Sequence, residues 1–400
     1  MKNDSRIRRR EGDSRIDYGI IFSVLMLALI GLASIYVAAA HDTGGVSVRQ
    51  QVISQLIWYV LGVVAVVVLM QFDSKQLWQL APYAYWLGIF LLVMVLFFYS
   101  RTYAASTGAK SWFAFRSFTF QPSEVMKPAY ILMMSKVIAD FNAKNPRHTM
   151  GSDWRLIGQM ILWTLPLPIL LILQHDFGTM LVFIAIFAGL LIVSGVTWRI
   201  LLPGFVTAIV LASSTLMLVV SEWGRNLLSH VGFESYQFAR IDTWLHPSAD
   251  TTNQGYQLWQ SIKAIGSGQF FGKGFNTSNV YVPVRESDMI FSVIGENFGF
   301  VGGAVLVLLY MLLIYQMIRV TFDTKNAFYA YIASGTIMMI LFHVFENIGM
   351  NIGLLPLTGI PLPFVSQGGS ALIGNMIGIG LIMSMRFHHD SYNTLQKTDF

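Results

Sequence analysis

Long apolar stretches recur along this chain, separated by short polar breaks. A helix needs about 20 mostly apolar residues to cross roughly 30 Å of hydrocarbon. Six runs meet that demand plainly: Tyr18–Ala40, Ile53–Met70, Ala81–Tyr99, Leu156–Leu173, Phe177–Val193 and Ile200–Val220. Met289–Arg319, Ala327–Phe345 and Ala371–Met385 follow, and a more polar candidate, Glu124–Phe141, lies between the third run and Leu156. The pattern predicts an all-α integral membrane protein of about ten transmembrane helices, with a large extracytoplasmic loop between helices 7 and 8. Residues 1–17 form a basic cytoplasmic tail, 18–386 one membrane domain that includes the 221–288 loop, and 387–400 a cytoplasmic C-terminal tail.

Composition sharpens this picture. Of 400 residues, 54% are hydrophobic and only 12% charged, about half the charge of a typical soluble domain. The net charge of +5 is not a nucleic-acid signal, because Lys2, Arg6, Arg8, Arg9, Arg10 and Arg15 crowd the N-terminus, where they read as an anchor facing anionic membrane lipid. Tyr18–Ala40 is too long for a signal-peptide core and is expected to be retained as a span. With the N-terminus inside, alternation puts Lys75, Lys144, Arg147, Arg155, Arg199, Arg319, Lys325, Arg386 and Lys397 in the cytoplasm, as the positive-inside rule asks. Both termini are then cytoplasmic, and Ser100–Ser123 and Ser221–Asp288 lie outside. The second of these is too long for a plain connector, so re-entrant or amphipathic helices are expected in it. Zero cysteines exclude disulfides, thiolate metal sites and a cysteine nucleophile.

Four places carry candidate chemistry, each with a bland alternative. Glu124 and Lys127 are helix neighbours: an internal ion pair, or a cation at the outer mouth that meets a phosphate. Gln174-His175-Asp176 joins two spans and reads as a weak metal pair or as a helix cap. Gly266–Gly274 lacks the Walker spacing, since Ser267 and Gly274 stand where glycine and Ser or Thr are needed. It remains a compact loop, or a turn whose N–H groups, with Arg240 and Lys263, face an anion or a sugar. Asp288, at the start of a long span that also holds Glu296, is either a helix cap or a catalytic carboxylate.

The run Phe342–Phe364, with Met350-Asn351-Ile352-Gly353-Leu354-Leu355-Pro356 and Thr358-Gly359-Ile360-Pro361 inside it, and then Ser366-Gln367-Gly368-Gly369-Ser370, resembles the SEDS family (shape, elongation, division, sporulation) of bacterial cell-wall polymerases over nearly the whole chain. The form is more like the elongation branch than the division branch. The resemblance implies a peptidoglycan glycosyltransferase in the bacterial cell membrane that polymerises lipid II, with Asp288 as the essential aspartate and Trp112, Glu124 and Lys127 in functional motifs. It also points to Ser366 as substrate-binding. A class B penicillin-binding protein and other elongation-complex proteins are the implied partners. Glu286-Ser287 and Gln367 depart from the His-Thr and Tyr common in the family. Asp288 would take a proton, while Lys127, Arg101, Lys110, Arg240 or a divalent cation such as Mg or Mn neutralises a diphosphate. No other cofactor is indicated. A lipid flippase and a non-catalytic scaffold are the competing classes.

Overall fold

The computed structural model describes residues 15–42, 47–115, 118–230, 235–249, 254–324 and 326–388; residues 1–14 and 389–400, holding most of both expected tails, lie outside them. Among the described residues ten long spans form the bundle: α1 (Tyr18–Ala40), α2 (Val48–Leu69), α3 (Ser74–Phe98), α5 (Pro122–Lys144), α6 and α7 as one broken span (Met150–Thr164, Pro166–Leu173), α8 (Phe177–Val193), α9 (Trp198–Val220), α13 (Ile290–Thr324), α14 (Ala327–Asn351) and α15 (Gly369–Phe387). Short helices α4 (Arg101–Thr107), α10 (Glu222–His230), α11 (Ser235–Leu245) and α12 (Gln254–Ser267), with a small hairpin of β1 (Phe113–Phe115) and β2 (Phe118–Phe120), fill the two long connections.

The sequence starts these helices with local chemistry. Asp17 accepts from the Gly19 and Ile20 amides at the head of α1. Asp73 and Gln76 close a capping box on α3, and Thr149 with Ser152 does the same for α6. Pro166 lacks the N–H that would continue α6, which breaks that span at Leu165. α1 and α8 coincide with their apolar runs, whereas α2, α3, α5, α6, α9, α14 and α15 begin or end beyond theirs, where the terminal turns carry residues that hydropathy leaves out. For α2 the difference matters, since the turn added ahead of Ile53 holds Gln51.

Burial sorts the helices into centre and rim. α5, α14 and α15 are surrounded by protein, whereas α2 and α9 turn most of their surface outward. This explains why α5 is polar for a span: its neighbours are side chains rather than lipid, so it needs partners for Glu124 and Lys127 more than it needs hydropathy. Small residues permit the tight packing expected in a membrane bundle. A Cβ on Gly374 would approach the Glu124 carbonyl oxygen to 2.5 Å, and one on Gly62 would meet Met376 at 2.7 Å.

α13 is broken at Gly299, whose φ of 61° and ψ of −155° are not helical. The break frees backbone groups that must be satisfied inside a membrane. The glycine-rich turn supplies the partners: Phe300 and Val301 donate to the Gln269 and Phe270 carbonyls, while Lys273 and Gly274 donate to those of Glu296 and Asn297. A Cβ on Gly268 or Gly272 would run into the Gly295 or Asn297 carbonyl at 1.9 and 2.1 Å. The glycines therefore splint a helix, and the reading of this turn as an anion-facing one is corrected, because the Lys273 and Gly274 N–H groups are spent on α13. Glu296 belongs to the same splint, accepting from the Asn279 and Val280 amides.

Candidate active site

At the end of the bundle where the 221–288 connection lies, a cavity of about 930 Å³ opens between α2, α5, α14, the hairpin and the start of α15. Asp288, Trp112, Glu124, Lys127 and Arg240 all face it, so five of the seven residues picked from the sequence converge. Lys263 does not. It lies on α12 with its Nζ above the Trp259 ring at 5.9 Å, outside the lining. Arg101 and Lys110 are likewise outside it, and Lys110 sits over Tyr99.

Asp288 sits two residues ahead of α13, and its position is set by its neighbours' backbone. Three successive carbonyls are each claimed by the 347–367 region. The Gln367 amide donates to the Glu286 carbonyl at 2.9 Å, Ser366 Oγ to that of Ser287 at 2.7 Å, and Asn347 and Asn351 both donate to that of Asp288, at 2.8 and 3.0 Å. Ser366 is thus a strut under the site, almost wholly buried, accepting from the Leu362 amide while it donates to Ser287; its expected contact with substrate is replaced by this one. Asp288 Oδ1 accepts from Ser287 Oγ at 2.7 Å. Oδ2 takes no donor among the described residues, and Gly359, with φ of 77°, leaves it room: a Cβ there would stand 3.3 Å away. Burial, with the nearby Glu286 charge, raises the Asp288 carboxyl to about 6 against the Ser287 bond, which lowers it. Burial also pushes Glu286 up.

Across the cavity lies a buried triad. Lys127 Nζ donates to Glu124 at 2.8 to 2.9 Å and sits 2.9 Å from His343 Nε2. His343 Nδ1 lies 2.6 Å from the Met339 carbonyl, which can only accept, so Nδ1 carries the proton and Nε2 presents a lone pair to the ammonium. The pair is internal, and its cation edges the cavity. Trp112 stacks on Tyr103 with ring centres 6.0 Å apart. Arg240 is carried in by α11, which the Arg225–Asp242 pair and the Trp244 Nε1 bond to the Gly353 carbonyl hold in place.

The Gln174–Asp176 turn resolves toward the cap. Asp176 Oδ1 accepts from the Thr179 amide at 3.1 Å and Oδ2 from Gln121 at 2.8 Å. Among the described residues no three His, Asp or Glu side chains converge as a metal cage. A magnesium or manganese ion could use Asp288 or Glu286 only together with substrate oxygens.

Several residues escaped the sequence reading. His343, Asn347 and Asn351 stand in the quoted motif without roles, Gln51 stands outside the predicted span Ile53–Met70, and Gln55 stands inside it without a role. A signal for the glutamines exists: positions 51, 54, 55 and 58 all line the cavity, which is the i, i+3, i+4, i+7 spacing of one helix face.

Fold and site define an integral membrane protein that keeps a carboxylate with one open oxygen, and a buried ammonium, on the wall of one cavity at one end of its bundle. The chain belongs to the FtsW/RodA/SpoVE family, whose model, described as cell cycle protein, matches residues 17–391. It is 32% identical to the peptidoglycan glycosyltransferase MrdB of Escherichia coli K12, over 93% of this chain and 94% of that one. It is 29% identical to the peptidoglycan glycosyltransferase RodA of Treponema pallidum, over 94% and 99%. Among solved structures, a chain from a study of polymerization and crosslinking by a peptidoglycan synthase complex superposes with a TM-score of 0.74 at 26% identity, covering 94% of this chain and 98% of that one.

Proposed function

We propose that this chain is a peptidoglycan glycosyltransferase that polymerises lipid II into glycan strands, in the elongation role. The observation that carries the reading is the Asp288 carboxylate, with Oδ2 open to a cavity that also holds the Lys127 ammonium. The acceptor's 4-hydroxyl oxygen attacks the anomeric carbon of the donor glycan, and the bond from that carbon to the diphosphate breaks. The hydroxyl proton passes to Asp288 Oδ2. The diphosphate leaves as an anion, so no second carboxyl has to protonate it, unlike glycoside hydrolysis. Lys127 supplies charge where the leaving group forms, and inversion follows from the single displacement.

In this reading the cavity opens on the outer face of the bacterial cell membrane, both termini are cytoplasmic, and a class B penicillin-binding protein crosslinks the product. The relatives' names and the synthase-complex neighbour support that setting. The test supplies lipid II to the purified chain with its crosslinking partner and compares wild type with Asp288→Asn in a gel that resolves glycan polymer. Polymer from wild type alone is expected. Equal polymer from both would sink the role of Asp288, and flipping in vesicles without polymer from either would replace the enzyme with a transporter.

A further inference from the structure

A second feature of the cavity belongs to no part of the mechanism above. Residues Gly369, Ser370 and Ala371 open α15 and line the cavity. Their three N–H groups have no acceptor among the described residues, since the first backbone bond of the helix runs from Leu372 to the Gly368 carbonyl. Gly368 gives no side-chain cap, and the first turn holds no acid. The helix end is nevertheless rigidly seated: Gln55 bonds the Ser366 carbonyl and the Gly368 amide, both at 3.4 Å, and Trp58 packs so closely on Gly369 that a Cβ would come to 2.2 Å.

A buried side-chain oxygen without a partner lines the same cavity. α2 and α15 run side by side in one direction, with Gln55 level with Gly368, Gly62 against Met376 and Val66 against Gly380. Gln51, one turn or about 5.4 Å earlier on α2, is therefore displaced past the first residue of α15 on the side that α2 covers, next to where an anion at the helix end would sit. Gln51 is 7% exposed, lines the cavity, and its carboxamide oxygen has no partner.

We propose that the amino terminus of α15, with Gln51 beyond it, is a diphosphate cradle separate from the Lys127 triad. The identity of the ligand rests on the polymerase reading: joining two lipid-linked saccharides brings two diphosphates into one cavity, and Lys127 serves one. The α15 amides donate to the phosphate oxygens of the other, with the helix dipole behind them, and the Gln51 carbonyl accepts from the adjoining sugar. Placing the second diphosphate on neutral amides leaves the remaining cations, Lys127 and Arg240, for the group whose charge grows in the reaction.

The experiment titrates the full-length protein in detergent with inorganic pyrophosphate by calorimetry and, in parallel, assays polymer from lipid II. Gln51→Glu changes the shape least and sets a like charge before the helix. Ser370→Pro removes one free N–H at a first-turn position that tolerates proline. Gln50→Glu places the same charge on an exposed neighbour outside the cavity. A binding step seen in wild type and in Q50E is expected to weaken at least tenfold in Q51E and S370P. Unchanged binding in both, equal weakening in Q50E, or no such step in wild type overturns the cradle. Gln51→Leu separates a sugar site from an anion site: a loss in L greater than in E would mean that saccharide hydroxyls alone are held there, and would overturn it too. Polymer from wild type with binding unmoved in the variants sinks the cradle and keeps the polymerase. Binding lost in Q51E with no polymer from wild type keeps the anion site and sinks the polymerase.

Discussion

Asp288 holds its two oxygens in different circumstances, and that difference sets the residue-level expectations. Oδ1 is tied to Ser287 and Oδ2 faces the cavity, so Asp288→Asn preserves shape while removing the proton acceptor. Loss of a general base typically costs about 10²- to 10⁴-fold in rate, and the gel assay should show at least the lower figure. The base must be ionised, and its carboxyl is raised to about 6. Polymerisation should therefore fall tenfold per pH unit below about pH 6 and level off above pH 7. Because the Glu286 charge is one of the causes of that rise, Glu286→Gln should move the acid limb of the profile to lower pH. A limb that stays in place, or moves up, would mean another group is titrating. Gly359→Ala combines a positive φ with a Cβ 3.3 Å from Oδ2, so turnover should drop more than tenfold with little change in substrate KM.

At the scale of elements, the site depends on how α13, α14 and the turn before α15 share hydrogen bonds. Asn347 donates to the Asp288 and Ile360 carbonyls together. Asn347→Ala leaves the recessed Ile360 carbonyl without a donor and the Asp288 carbonyl with Asn351 alone, which costs about 1 to 3 kcal/mol for the buried unmet group, and thermal unfolding should register it along with lower turnover. Lys127→Met strands the Glu124 carboxylate, and removing one partner of a buried pair costs about 3 to 5 kcal/mol. The double variant Lys127→Met with Glu124→Gln should recover much of that stability while remaining inactive. Sequence legibility divides along the same line. The spans could be read because lipid demands apolar length, and Asp288, Glu124 and Lys127 could be read because ionisable groups in that setting are costly. Ser366 was misplaced because a hydroxyl that braces a backbone and one that binds a sugar look alike in a sequence. Gln51 is not legible because hydropathy treats polar residues as ends of a span, and Gln55, within the apolar run, is outweighed by its neighbours, whereas both face a cavity. The glycine-rich turn could not be settled until Gly299 showed which helix needed its amides.

Over the whole molecule, polarity is arranged by depth and by side. The central helices carry the buried Glu124–Lys127 pair and Glu346, the rim helices meet lipid, and the cavity gathers at one end. That arrangement makes the proposed orientation testable with the chain's own composition, because it contains no cysteine. Ser54 is exposed on the cavity face of α2, and Asn326 caps α14 at the opposite end of the bundle. In intact cells, Ser54→Cys should react with a membrane-impermeant maleimide, and Asn326→Cys should react only after the cells are opened. Saturating lipid II should slow labelling of Ser54→Cys severalfold and leave Asn326→Cys unaffected, since only the former shares the cavity. Labelling of Asn326→Cys in intact cells would invert the orientation and put the cavity on the side where the basic N-terminus is expected. Labelling of Ser54→Cys that lipid II does not slow would leave the orientation standing and separate the cavity from the substrate.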